Sequence, residues 1–485
     1  MALPQVFFIG DNSLCQCILP AAGATITVPT AAPRDWLPDG KHVLKMAVGN
    51  ALTLLLADDN LLFAVGSNEN GQLGRGHSNN NDPDNRVPRP VTGFGLERIT
   101  LVAAGYGHCA AVTEGGKLLL WGWNGIGQCG TGTADVNVLA ATRCDSGALA
   151  DADVRVVFVA CGGFHTVALT SDGGVIGFGN NSFGQLGTGN NDDQPTPERL
   201  ACAALVGVRI VGCAAGARFT QLVSDDGRVF ATGHNGHGEL GTGDTTNVNT
   251  PTEIDATHFG GAPVAAVACG SSHTMAITRG EGKLYGWGSG AHGATGLGHT
   301  DDATTPQPVV GALADARVVR ITAGLNHSCA LAEDGRVFAF GRCHGIPAAG
   351  RQGTPQLLQE GALAAGTTVC ALSTGCFATH AAFAEGPPPA APGFEAPLVF
   401  AMQKPAAKEP DPAAVAALAA LRPPDEGGGA AAASSSAAAG GGAASAGSEQ
   451  GTKRKRDGPS DDDDESGAHK KTKRAARMPR RCAKY

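Results

Sequence analysis

The stretch VACGGFHTVALTSDGGVIGFGNNSFGQLGTG, from Val159 to Gly189, decides the fold because the chain repeats it. VAAGYGHCAAVTEGGKLLLWGWNGIGQCGTG (Val102 to Gly132) and CAAGARFTQLVSDDGRVFATGHNGHGELGTG (Cys213 to Gly243) align with it without a gap. A late motif, G-x-N-x-x-G-Q-L-G-x-G, opens at Gly66, Gly122, Gly179, Gly233, Gly288 and Gly341, in steps of 56, 57, 54, 55 and 53 residues. One step back from Gly66 lies Gly10, in VFFIGDNSLCQC, a worn copy. An early motif, A-x-G-x-x-H-T/C, places its glycine at Gly49, Gly105, Gly162, Gly216, Gly270 and Gly324, with a degraded copy at Gly375. Seven copies of each half are present, but offset: the chain starts with a late half and finishes with an early one.

Each repeat reads as four short strands, because runs of β-branched and apolar residues are bounded by Gly, Asp and Asn. In the third repeat these are VRVVFVACG, FHTVALT, GVIGFG and a weaker TPERL. Between the second and third strands stand Glu114-Gly115-Gly116, Asp172-Gly173, Asp226-Gly227 and Asp334-Gly335, the chemistry of a tight hairpin. One such unit cannot bury both faces alone, so the repeats must pack on one another. The expected fold is all-β: a seven-bladed β-propeller. The strand at Gln5–Ile9 is expected to join the sheet holding Phe377–Phe383 and close the ring. The expected divisions are 1–385 for the propeller, 386–452 for a Pro/Ala/Gly/Ser linker without packed structure, and 453–485 for a basic tail with an acidic insert.

Composition agrees. Glycine is 71 of 485 residues, which demands many tight turns, and only 16% of residues are charged. Formal net charge is -8, yet residues 453–485 hold 12 basic and 6 acidic side chains, so the propeller is acidic and the tail basic. An acidic body disfavours a broad nucleic-acid surface. No apolar run reaches the length of a membrane-spanning helix, and MALPQVFFIG has neither a basic nor a long apolar segment of a secretory signal. The 14 cysteines form no C-x-x-C pair, and reduced, buried thiols are expected.

The string GxxHTxALTxDGxVxxFGxNxxGQLGTG, best copied at Gly162–Gly189 and Gly105–Gly132, resembles the regulator-of-chromosome-condensation repeat over residues 5–383. That resemblance implies the propeller. Its founder is a nuclear exchange factor for the small GTPase Ran and binds chromatin; other members are scaffolds, or are attached to ubiquitin-ligase or kinase domains. The founder's extra hairpin has little room in steps of 53–57 residues, which weighs against exchange activity. A plant ultraviolet-B photoreceptor shares the fold and uses clustered tryptophans. Here only Trp36, Trp121, Trp123 and Trp287 occur, none in a G-W-R-H-T motif, so photoreception is not implied.

His108, His165, His273 and His327 share one repeat position in different blades, so they diverge around the ring and cannot converge on a metal. Imidazoles that hold neighbouring backbone groups are expected; Phe219 takes the place in the fourth repeat. Gly286-x-Gly288-x-Gly290-x-x-Gly293 spells G-x-G-x-x-G without the βαβ unit a dinucleotide needs. No catalytic, cofactor or metal residue is expected. Loops after the late motif differ between repeats, and Asp192, Asp193, Asp301 and Asp302 are the expected contacts to a basic protein partner on an acidic loop face.

In the tail, Lys453-Arg454-Lys455-Arg456 and Lys470-Lys471-x-Lys473-Arg474 resemble a bipartite nuclear import signal, which implies an importin partner. Between them Ser460 precedes Asp461–Glu465, an acid-directed phosphorylation pattern. The expected protein is a monomeric, nuclear, non-enzymatic interaction scaffold without a membrane partner, with a cytoplasmic location as the alternative. Two alternative functions stand beside it: guanine-nucleotide exchange on a Ran-like GTPase, and chromatin association through the tail, whose nucleic-acid contact would weaken steeply with salt.

Overall fold

Short apolar runs cut by turn residues become strands. In the third repeat these are Val156–Cys161, His165–Thr170, Val175–Gly179 and Gln194–Arg199, paired antiparallel in that order. The two middle strands are buried at every residue, because another sheet packs on each of their faces. The fourth carries Glu198 and Arg199 into solvent, which is why TPERL reads weakly in sequence. Gly173 takes φ +84° in the hairpin turn, as the Asp-Gly pair requires.

The computed structural model describes residues 6–385 apart from 14–16, 18–24, 34–36, 38–40, 343–352, 359–368 and 375–379. The degraded motif at Gly375, the linker and the whole basic tail, with its import clusters and Ser460, lie outside the described residues. Within them every strand belongs to one of seven four-stranded sheets. Six sheets use strands consecutive in sequence. The seventh runs Ile26–Ala31, Val6–Gly10, His380–Glu385, Val369–Thr374, with Val6 opposite Ala384 and Gly10 opposite His380.

The first strand of each sheet packs against the first strand of the next. The order is Val43–Gly49, Ile99–Ala104, Val156–Cys161, Ile210–Ala215, Val264–Cys269, Val318–Ala323 and Val369–Thr374, which returns to Val43–Gly49. The architecture is an all-β propeller. The apolar core is divided among the interfaces between sheets; Cys161, Phe178, Cys213 and Leu222, for example, pack together from the third and fourth repeats.

Polar latches cross the same interfaces. His108 Nε2 lies 2.9 Å from Thr166 Oγ1 of the next sheet, and that hydroxyl donates to the Gln128 carbonyl at 2.8 Å. His165, Thr220 and Gln185 repeat the arrangement at 2.9 and 2.7 Å. So do His273, Ser328 and Ala294 at 2.8 and 2.9 Å. Each hydroxyl proton is committed to a carbonyl, so each imidazole donates through Nε2–H. His108, His165 and His273 therefore each hold a hydroxyl of the neighbouring sheet, and that hydroxyl in turn holds a backbone carbonyl. Burial keeps the rings neutral, with His108 and His165 lowered to about 3 and His273 to about 4.

The fourth repeat gives an internal control. Phe219 replaces histidine, and Thr274 Oγ1 donates to the Glu239 carbonyl, which also receives Gln221 Nε2 and Trp287 Nε1. Thr220→Val should cost about 2–3 kcal/mol, because it strands both the His165 donor and the Gln185 carbonyl. Thr274→Val should cost about 1 kcal/mol or less, because two donors remain on its carbonyl. Urea unfolding of the two variants measures the difference; equal losses would refute the latch.

Candidate functional site

An antiparallel meander puts its turns alternately at two ends. The links between first and second strands and between third and fourth strands emerge together on one face. Backbone bonds tie these links within each sheet: Trp123 N donates to Gly107 O at 2.7 Å, Asn180 N to Phe164 O at 2.9 Å and His234 N to Arg218 O at 2.9 Å. Others tie neighbouring sheets: Asn50 N to Gly105 O, Tyr106 N to Gly162 O, Gly163 N to Gly216 O and Ala217 N to Ser271 O. The inner rim of this loop face is thus a chain of hydrogen-bonded turns.

The late motif frames the outer part. Asn181 Oδ1 accepts from Leu186 N at 2.9 Å, while its Nδ2 donates to Thr188 Oγ1 at 3.1 Å and to Asn190 O at 2.9 Å. Gln185 Oε1 accepts from Phe183 N at 3.0 Å. Glu239 replaces this glutamine in the fourth repeat. Its Oε2 accepts from His237 N at 2.8 Å, and its Oε1 meets His234 Nδ1 at 2.7 Å. The Glu239 side chain is 1% exposed, so His234 is the polar partner that makes its burial tolerable.

Side chains from three repeats meet on this frame. Tyr106 stacks on Phe164 at 6.1 Å between centroids, and Trp123 meets Phe164 edge-on at 5.8 Å. The Arg218 guanidinium lies 5.8 Å from the Phe164 centroid and 5.2 Å from that of Phe183. Phe183 in turn meets His234 edge-on at 5.0 Å. Sequence reasoning named Trp123 only in the tryptophan count and did not single out the others, because each occupies a variable slot of its own repeat.

The four aspartates expected at a partner contact lie on the same face, in two different roles. Asp193 Oδ1 accepts from Asn181 N at 2.7 Å and Asn180 Nδ2 at 2.8 Å. Asn80, Asn137 and Asn247 accept the matching backbone N–H in their repeats, and Asp302 accepts from Gly290 N at 3.0 Å. Asp193 and Asp302 therefore also serve the loop frame, and Asp302 Oδ2 meets His237 Nδ1 at 2.7 Å. Asp192 and Asp301 are exposed and make no ion pair among the described residues.

On the opposite, hairpin face four arginines pair with carboxylates, while Arg155 and Arg209 donate to the Glu114 and Ser171 carbonyls. Arg199 pairs with Asp172 at 2.8 Å, Arg228 with Asp226 at 2.8 Å, Arg336 with Asp334 at 2.6 Å and Arg317 with Glu333 at 3.5 Å. Gly286–Gly293 ends a strand and enters a single 3-10 turn, Ala291–Gly293, which has no dinucleotide geometry. Trp121 and Trp287 are buried, each donating its indole N–H at 2.9 Å to the carbonyl of Gln72 or Glu239. Burial pushes the Cys109 and Cys129 thiols well up, and Cys144 to about 11. Among the described residues no group of His, Cys, Asp and Glu is disposed to hold a metal ion. No described helix is long and apolar enough to cross a membrane.

The RCC1-like domain profile matches residues 140–386, and RCC1 repeat profiles match 59–112 and 99–128. The Arabidopsis thaliana ultraviolet-B receptor UVR8 is 33% identical over 306 residues, which are 63% of this chain and 66% of the receptor. The human E3 ubiquitin-protein ligase HERC2 is 31% identical over 307 residues, 62% of this chain and 6% of the ligase. The match thus spans just under two thirds of the receptor and a small part of the ligase. Among solved structures, human WBSCR16 matches with a TM-score of 0.66 and 24% identity, covering 79% of this chain and 99% of its own. Prp20p of Saccharomyces cerevisiae matches with a TM-score of 0.68 and 19% identity, covering 79% and 92%.

Proposed function

The chain belongs to the regulator of chromosome condensation (RCC1) repeat family, and we propose that it is a non-enzymatic platform for protein partners. The platform is a seven-bladed ring closed by the sheet that both ends share. The contrast between its faces carries this reading. The hairpin face pairs Arg199, Arg228, Arg317 and Arg336 with its own carboxylates, whereas the loop face presents aromatic rings, Arg218 over two of them, and the exposed Asp192 and Asp301 on a hydrogen-bonded frame. Aromatic and arginine side chains inside a polar rim are the composition of a protein-binding surface.

A basic partner would meet the rim at Asp192, Asp193, Asp301 and Asp302. Asn at position 193 preserves the backbone acceptor, as Asn80 and Asn247 do in their repeats, so Asp192→Asn with Asp193→Asn removes charge and leaves the frame. Immobilised full chain should retain about threefold less of its basic partners after this change. Equal retention would remove the acidic rim from the reading, and no retention by the unaltered chain would remove the platform.

Guanine-nucleotide exchange on a Ran-like GTPase is the second reading. Prp20p, described with binding to Gsp1p and histones, shares the fold. Against exchange, every described strand is used in the seven sheets, leaving no added hairpin among the described residues. Release of labelled GDP from Ran at substoichiometric chain decides it: catalytic acceleration would place exchange first. The tail clusters Lys453–Arg456 and Lys470–Arg474 are proposed as the import signal, with chromatin contact through the tail as a third reading. A fluorescent full chain that still enters nuclei with both clusters changed to alanine would refute the import signal.

A further inference from the structure

Among the described residues three arginines stack on phenylalanine rings: Arg218, Arg228 and Arg336. Arg228 and Arg336 lie on the hairpin face and are neutralised by Asp226 and Asp334. Arg218 differs in both respects. It lies against two rings, Phe164 and Phe183, and its guanidinium makes no hydrogen bond or ion pair among the described residues. Its backbone is fixed as well, since Arg218 O accepts from His234 N at 2.9 Å.

The rings are themselves fixed. Tyr106 and Trp123 brace Phe164, and His234, held by buried Glu239, braces Phe183. A guanidinium stacked on aromatic faces keeps its in-plane N–H groups for another acceptor and loses little rotamer freedom when it finds one. Planar, bidentate acceptors suit that fork best, and a carboxylate is one.

We infer that Arg218 is the central anchor of the loop face and captures a single Asp or Glu side chain of a protein partner. This inference rests on the platform reading and names the chemistry at its centre. Charge selects the occupant. Asp192, Asp193, Asp301 and Asp302 put negative charge on the same loop face in the repeats before and after that of Arg218, which repels a polyphosphate backbone and tolerates one carboxylate flanked by basic residues. The aromatic shelf of Tyr106, Trp123 and Phe164 supplies apolar contact beside the ion pair.

The probes are short biotinylated peptide pools with a fixed central Asp, Glu, phosphoserine, Lys or Ala and randomised flanks, applied to immobilised full chain. The Asp and Glu pools should be retained about tenfold above the Ala pool, and Arg218→Ala should abolish that preference. Arg218→Lys, which keeps the charge without the planar fork, should lose most of it. Phe183→Leu leaves the arginine but removes one ring, and should weaken retention about threefold. An unchanged thermal midpoint in Arg218→Ala shows that the propeller is intact.

Acid-pool retention that survives Arg218→Ala overturns the anchor. So does retention of the phosphoserine pool alone, which would assign the site to a phosphoryl group. A wild-type chain that holds the Lys pool but not the Asp and Glu pools overturns the anchor and leaves the platform standing. A chain that holds no pool above the Ala pool removes both.

Discussion

Acidification to about pH 5 should remove about 5–6 kcal/mol of stability through three buried histidines alone. His108, His165 and His273 are neutral in the fold, lowered to about 3, about 3 and about 4. In the unfolded chain each has a pKa of about 6.5, so the unfolded state binds the proton first. Their contribution is complete above about pH 6.5 and is lost as pH falls toward the folded values. At about pH 5 the folded rings remain unprotonated, so each loss depends on the unfolded value and comes to about 2 kcal/mol. No water screens these rings, which are 0–1% exposed, and the charge on His108 would act directly on His165. Asp172, lowered to about 2 by Thr170 and Arg199, titrates below this window and does not confuse the slope.

Urea midpoints at neutral pH and at about pH 5 test this. His165→Gln should unfold more easily at neutral pH, where the bond to Thr220 is lost, yet lose only about two thirds as much on acidification. An acid loss in His165→Gln equal to that of the unaltered chain would refute the linkage.

The ring was legible in the sequence because its physical requirements recur in phase. The same tight contact is needed wherever one strand end abuts the neighbouring loop, so glycine recurs at Gly66, Gly122, Gly179, Gly233, Gly288 and Gly341 in steps of 53–57 residues. The mixed terminal sheet was legible because the offset halves leave Gly10 and the last early motif as complements. Fourth strands were less so: Arg89–Pro90 is only two residues long.

The histidine latch was half visible. Its acceptor is the Thr or Ser one position after the histidine of the following repeat, as in His165-Thr166 and His327-Ser328, but aligned repeats show equivalence rather than contact. Asp193 and Asp302 looked like variable loop charge because Asp stands where Asn80, Asn137 and Asn247 stand elsewhere. The Arg218 cluster was not legible. Tyr106, Phe164 and Arg218 occupy variable positions between the early glycine and the histidine site, and only the curvature of the ring brings three such slots together.

Replacement of Gly179 by alanine should destabilise the chain by about 3 kcal/mol or more, from two separable causes. The residue takes φ +100°, where a side chain costs about 1–2 kcal/mol per residue. A Cβ there would also stand 2.8 Å from Phe164 O, 3.0 Å from His165 Cα and 3.1 Å from Gln128 Cα. All three are backbone atoms. Phe164 O is held by Asn180 N, and His165 lies in a fully buried strand, so neither can retreat cheaply.

Gly189 separates the two terms. It takes φ +82°, but a Cβ there meets only Thr250 Cγ2 at 3.8 Å, an ordinary contact. Gly189→Ala should therefore cost about 1–2 kcal/mol, the torsional part alone. Urea unfolding of both variants should show Gly179→Ala losing at least about twice as much. Equal losses would mean that left-handed backbone, rather than the close approach of strand and loop, keeps glycine at the motif. The stronger loss has a further consequence for the site. The same approach sets the Phe164 loop against Asn180, so Gly179→Ala should also displace Phe164 from Arg218, and retention of acidic peptide pools should fall even where the chain remains folded.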